Sequence, residues 1–194
     1  GINNIEIVAL NTILPISEIC KNINITKHTK LLIENKLDYS RLKINQPEIN
    51  KYESYKSNSE YPLVIYKPEK LNADLSLVTY GASIHHALES IDRIFIEYEL
   101  IVQIICLTKI YPINISLFLS FIEKTKFIVT IEESNIEGGF GSEIISKIVE
   151  TKEGIGKRYL RIGSENVPIP ANKSLEKECL VNSDQIVKKI KDIL

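Results

Sequence analysis

Apolar and polar positions fall in alternating blocks along the chain, and the blocks predict strands and helices in turn. From Ile5, "IEIVAL" predicts a strand, "PISEICKNINI" a helix and "KLLIEN" a second strand. The helix rests on Pro15, which suits a first turn, followed by Ile16, Ile19, Cys20 and Ile23 at helical spacing. From Leu42 to Asn72 the pattern turns polar, with few aliphatic residues in "NQPEINKYESYKSNSEYP", and a connecting segment is expected there.

Alternation returns after Ala73. "LSLVTYG" predicts a strand ending at Gly81, and "SIHHALESIDRI" a helix with Ile84, Leu88 and Ile91 on one face and Ser83 as its N-cap. "LIVQIICLT" is apolar on both faces, as central parallel strands are. "PINISLFLSFIEK" predicts a helix, "KFIVTIEE" a strand, and "GSEIISKIVE" a helix with Ile144, Ile145, Ile148 and Val149 inward. "RYLRIGS" closes the series as a strand, before a last helix in "NSDQIVKKIKDIL" with Asn182 and Gln185 in a loose capping box. The repeated order predicts an α/β fold with a doubly wound, mostly parallel sheet.

Composition narrows the function classes. With 24 basic and 25 acidic residues the net charge is -1, so no general attraction to nucleic acid or anionic membrane exists. No apolar run approaches the roughly 20 residues of a membrane span, and no signal segment opens the chain, which predicts a cytoplasmic protein. Cys20, Cys106 and Cys179 are odd in number and widely separated, and His28, His85 and His86 match no metal spacing. Reduced packing cysteines and no metal site are expected. The chain holds no methionine and begins with Gly1, so a portion of a longer polypeptide is expected.

The stretch "VTIEESNIEGGFGSEIISKI" sets Gly138, Gly139 and Gly141 between a strand and a helix, the order in which helix amides hold phosphates. Glu132, Glu133, Glu137 and Glu143 crowd that loop, and no lysine or arginine lies between Lys126 and Lys147. A phosphate would be repelled, which leaves a tight strand-to-helix turn as the expectation. His85 and His86 open a helix that follows a strand, the rim where doubly wound sheets place ligands, and are candidate acid or base groups. Glu133 is a third candidate, since neighbours leaving a strand point to opposite sides and one of Glu132 and Glu133 can be solvated.

Read in order, "LSLVTYGASIHHALES", "IYPIN", "TIEESNIEGGFGSEI", "VPIPANKSLE" and "DQIVKKIKDIL" resemble the C-terminal domain of the transketolase family. The resemblance is strongest to the beta subunit of thiamine-diphosphate-dependent 2-oxo acid dehydrogenases. Upstream, "IEIVALNTILPISEI" and "LLIENKLDYS" resemble the end of that family's pyrimidine-binding domain. The resemblance implies three parts: 1–41 as the end of that domain, 42–72 as connector, and 73–194 as the C-terminal domain. It departs from the family at Cys106–Lys109, where an Asp-Leu-Arg type stretch is usual, and at Asn35, where a His is frequent.

The implied role is subunit assembly within an enzyme that decarboxylates a 2-oxo acid and passes the acyl group to lipoamide. Alternatives are a transketolase or deoxyxylulose-phosphate-synthase type enzyme, or a standalone α/β interaction module. Thiamine diphosphate and magnesium would belong to the parent enzyme, with no catalytic or cofactor residue in this chain. The resemblance also implies oligomers, either of this chain or with an alpha-type subunit, and docking of an acyltransferase's subunit-binding domain. Gly138, Gly139, Phe140, Gly141 and Leu194 are the interface candidates.

Overall fold

The computed structural model describes residues 4–23, 27–41 and 47–194. Strand β1 (Ile5–Ala9) leads through helix α1 (Ile16–Ile23) to the parallel strand β2 (Thr29–Ile33), and a 3-10 helix spans Lys36–Ser40. Then come β3 (Tyr52–Lys56), β4 (Val64–Pro68), β5 (Leu75–Tyr80), α2 (Ser83–Tyr98), β6 (Val102–Leu107) and β7 (Lys109–Tyr111). The chain ends with α3 (Leu119–Ile122), β8 (Phe127–Asn135), α4 (Phe140–Val149), β9 (Arg158–Ser164), α5 (Lys173–Cys179) and α6 (Ser183–Ile190).

Two sheets result. The larger has the order β3-β4-β6-β5-β8-β9, with β6, β5, β8 and β9 parallel and β4 antiparallel to β6. Its central strands can be apolar throughout because both faces are covered. On one face Ile84, Leu88 and Ile91 of α2 and Ile186 and Ile190 of α6 pack on Leu77, Ile104 and Val129. On the other, Phe118, Ile122, Ile144 and Ile148 pack on Val78, Ile105 and Ile128. Each fully buried aliphatic side chain contributes about 1.5–3 kcal/mol of transfer free energy.

The smaller sheet has the order β2-β1-β7. Only Thr108 separates β7 from β6, so one length of chain runs from the large sheet into the small one. The Ala9 amide donates to the Thr108 carbonyl at 2.8 Å. Val8, Leu14 and Ile19 join the same buried cluster as α2 and α6. Among the described residues no helix is long and apolar enough to cross a membrane.

The structure departs from the expected elements in four places. Part of the stretch expected as a connector forms β3 and β4, and Leu63, Val64 and Ile65 are buried there; residues 42–46 lie outside the described ones. The expected helix after Pro112 shrinks to a 3-10 turn at Ile115–Leu117, capped by Asn114, followed by the single turn of α3. Ser83 lies inside α2 rather than capping it; Ala82 holds the cap position, with no side-chain bond. Val149 is 52% exposed, because α4 buries only the stripe of Gly141, Ile144 and Ile148.

Candidate functional site

The chain steps from β5 to its neighbour β6, then crosses to β8 on the other side of β5. That reversal makes the C-terminal ends of β5 and β8 the switch point, the crevice position where doubly wound sheets hold ligands. Tyr80 comes from the first strand and Glu132 and Glu133 from the second.

Glu132 is fully buried, and its Oε1 accepts the Gly141 amide at 3.0 Å while Oε2 accepts the Ser134 hydroxyl at 2.5 Å. The carboxylate thus sits at the positive end of α4 and satisfies one of its unpaired amides. Glycine is required around it. A Cβ on Gly139 would collide with the Glu132 carboxylate, and one on Gly141 with the Thr130 side chain. The anion on this helix terminus is therefore the protein's own, which accounts for Gly139 and Gly141, while Gly138 is set by its φ of +68°. Arg161 ties the loop to β9, donating to the Ile136 carbonyl at 2.8 Å and to the Ser142 hydroxyl. The Phe140 ring meets Tyr80 edge-on, 4.8 Å between centroids. Burial raises the Tyr80 pKa, offset in part by its hydrogen bond to Ser134.

Segment 34–41 lies against the same rim. Asn35 donates from Nδ2 to Glu133 Oε1 at 3.1 Å, and its Oδ1 accepts the Leu37 amide, starting the 3-10 helix. His85 is only 3% exposed; its Nε2 lies 3.0 Å from Thr12 Oγ1 and 3.4 Å from Asp38 Oδ1. Arg41 Nε is 3.4 Å from the same Asp38 oxygen. Burial, reinforced by the Arg41 charge, pushes His85 down to about 4, and burial raises Asp38 against the pull of Arg41. His85 is therefore a neutral imidazole at pH 7. A cavity of about 220 Å³ opens here, lined by Asn11, Thr12, Asn35, Asp38 and Arg41 among others.

The structure brings two of the three acid-base candidates, His85 and Glu133, to segment 34–41. His86 turns away toward Glu89, 3.6 Å from Nδ1. Thr12, Asp38 and Arg41 carry no local motif; Thr12 is 73 residues from its partner, so only folding reveals the group.

A second polar group ties the three strands of the small sheet together. Buried Glu6 on β1 meets Lys109 at 2.5 Å, Lys30 at 3.7 Å and His28 at 3.6 Å. Lys109 belongs to the stretch that departs from the family pattern, and its partner lies on the neighbouring strand of the same sheet. Cys106, in the same stretch, is wholly buried, with its thiol pushed up to about 12 by burial, and serves packing. Near the C-terminal end, Arg158 Nη1 donates to the main-chain oxygens of Ile193 and Leu194 at 3.1 and 2.6 Å.

A diphosphate does not suit the crevice: Glu132 already occupies the α4 amide, and Glu133 adds a second negative charge. No group of three or more His, Cys, Asp or Glu side chains among the described residues could hold its metal ion.

Residues 66–186 match the family model described as transketolase, C-terminal domain. The beta subunit of the pyruvate dehydrogenase E1 component from Cyanidium caldarium is 29% identical over 197 residues, covering 100% of this chain and 57% of that protein. The mitochondrial beta subunit from Saccharomyces cerevisiae is 27% identical over 130 residues, covering 66% of this chain and 36% of the relative. The chain thus spans little more than half the length of such relatives. A split-gene transketolase solved as an inactive beta4 tetramer shares the fold, with a TM-score of 0.70 and 16% identity over 98% of this chain and 58% of that one. A mutant transketolase from Pichia stipitis gives a TM-score of 0.57 at 12% identity, covering 98% of this chain and 25% of that chain.

Proposed function

Because this chain belongs to the transketolase C-terminal domain family, we propose that it forms the C-terminal portion of a beta-type subunit of a thiamine-diphosphate-dependent 2-oxo acid dehydrogenase and serves subunit assembly and partner docking. One observation carries this: the alignment to a pyruvate dehydrogenase beta subunit runs along 100% of the chain, through the strands of both sheets. The parent enzyme would decarboxylate a 2-oxo acid and pass the acyl group to lipoamide. Thiamine diphosphate and magnesium would be held elsewhere in the assembly, in keeping with a crevice filled by its own carboxylate.

The partner is an alpha-type subunit, met through the part of the glycine loop that is not buried, exposed Gly138 and half-buried Gly139 and Phe140. Gly141 is buried and its amide faces Glu132, which suits it to the turn. Docking of an acyltransferase's subunit-binding domain at Leu194 would use the 49% exposed side chain, since Arg158 already engages the main-chain oxygen. The compartment we propose is the cytoplasm; the yeast relative is mitochondrial by name, and cell fractionation separates the two.

Size-exclusion chromatography with light scattering, on the chain mixed with the cognate alpha-type subunit, tests the assembly role. Joint elution is the expected result; a folded chain that elutes alone overturns it. Calorimetry of the isolated chain with thiamine diphosphate and magnesium should give no binding heat, and micromolar binding would place the cofactor in this chain after all.

A further inference from the structure

The edge of the large sheet opposite the crevice carries a cavity of about 330 Å³, between the start of β6, the loop from β4 to β5 and the turn after α3. Gln103 of β6 lines it and is only 4% exposed. Its amide nitrogen donates to Ser76 Oγ at 2.8 Å and to the Phe121 carbonyl at 2.7 Å, which uses both hydrogens. The Phe121 carbonyl can only accept, so the orientation of the amide is fixed. Ser76 donates on to Thr125, itself buried, at 3.2 Å. The Gln103 oxygen accepts no hydrogen bond among the described residues. It is not sealed off, and the opening beside Gln103 is this cavity.

The charged residues around the cavity are mostly cations. Lys67 and Lys70 come from β4 and the loop after it, and Lys124 from the turn after α3, against one carboxylate of the lining, Glu69. Lys67 pairs with Glu53 at 2.9 Å, whereas Lys70 and Lys124 pair with no described residue. Lys157 ties down the Lys124 turn by donating to the carbonyls of Glu123 and Thr125.

We propose that this cavity binds a small anion that carries a hydroxyl group, with Lys70 and Lys124 holding its charge and the Gln103 oxygen accepting from its hydroxyl. An ammonium group holds phosphate or carboxylate as a point charge, and two of them from separate segments suit a ligand with more than one negative oxygen. A buried acceptor left without a donor costs free energy that a ligand hydroxyl recovers. A plain anion would leave the Gln103 oxygen facing negative charge, and a neutral polyol would leave the lysines idle, so both groups belong to one molecule. Phosphate monoesters and hydroxydicarboxylates share this chemistry. The site goes beyond the assembly role and needs no partner subunit.

Amide chemical shifts of the full chain, followed by NMR during titration with glycerol 3-phosphate and with malate, test this. At least one of the two should bind with a dissociation constant of about 1 mM or below, and the tighter one names the source. The shifts should be confined to residues 67–73, 103 and 120–125. Methyl phosphate and succinate keep the charge but lack the hydroxyl, and each should bind about fivefold more weakly than its counterpart. Lys70→Gln combined with Lys124→Gln, both on the exposed surface, should weaken binding about tenfold, and Glu69→Gln should tighten it. Gln103→Leu should erase the preference for the hydroxyl; if it does not fold, the paired ligands on the wild type decide that point. Lys188→Gln with Lys189→Gln, on α6, is the control and should bind as the wild type. The proposal is overturned by shifts spread over all exposed lysines, by affinity unchanged in the Lys70 and Lys124 variant, by equal affinity with and without the hydroxyl, or by no shift at about 20 mM ligand.

Discussion

The two sheets use the same residue types to opposite effect. Every residue of β6 is buried, and β5 is buried up to Tyr80, because helices cover both faces. In β2 the burial alternates, with Leu31 and Ile33 54% and 39% exposed. Among the described residues the small sheet also has no buried cluster of its own: Val8, Leu14 and Ile19 belong to the one built on α2 and α6. Its order is therefore borrowed from the large sheet, and the large sheet should survive damage that the small one does not.

The most damaging change should be Leu77→Ala, in the centre of the large sheet. We expect a loss of about 4 kcal/mol in denaturant unfolding, from lost transfer energy and the cavity left behind. Ile19→Ala, fully buried beneath the small sheet, should cost about 3 kcal/mol and release protection in Ile5–Ile33 while β5 and β6 keep theirs. Equal loss in both sheets would make them a single cooperative unit and end the comparison.

Acidification comes next. His85 binds its proton in the unfolded chain near 6.5 and in the folded chain near 4, so stability is complete above the first value and falls as pH drops between them. The total fall from this group is at most about 3 kcal/mol, as denaturant midpoints over pH 4 to 7 would read. Glu132→Ala leaves the Gly141 amide without its acceptor and should cost about 2 kcal/mol by the same assay. Leu31→Ser, on the open face of β2, should change stability by less than about 0.5 kcal/mol. A larger loss would show that this face is covered in solution.

Much of the large sheet is legible in the sequence. "LIVQIICLT" and "KFIVTIEE" are apolar because parallel strands buried on both sides must be, and β9 spans the seven residues of "RYLRIGS". β3 escapes because it is an edge strand with four exposed residues, so its polar string reads as a loop. The apolar run of β4 is hidden between Pro62 and Pro68. At the crevice, the glycines and the acidic loop are visible in the sequence but not their connection. Glu132 and Gly141 are nine residues apart, and nothing short of the strand-turn-helix geometry says that one carboxylate folds back onto the helix. Asn35 and Asp38 lie farther still from their partners on β8 and α2, and local spacing carries no trace of contacts made by the long return of the chain.

The passage of the chain from β6 straight into β7 has a consequence for modularity. Cutting before Ala73 would keep β7 with the large sheet but remove β1, the strand to which β7 pairs through Ile7 and Val8. The remainder would carry an orphaned ribbon, Lys109–Tyr111, with unpaired backbone groups and with Lys109 stripped of its Glu6 partner. Such a ribbon invites association with other chains. The two sheets are two structures but not two transferable parts: no single cut frees either one whole, and shuffling or grafting this molecule has to carry both sheets together.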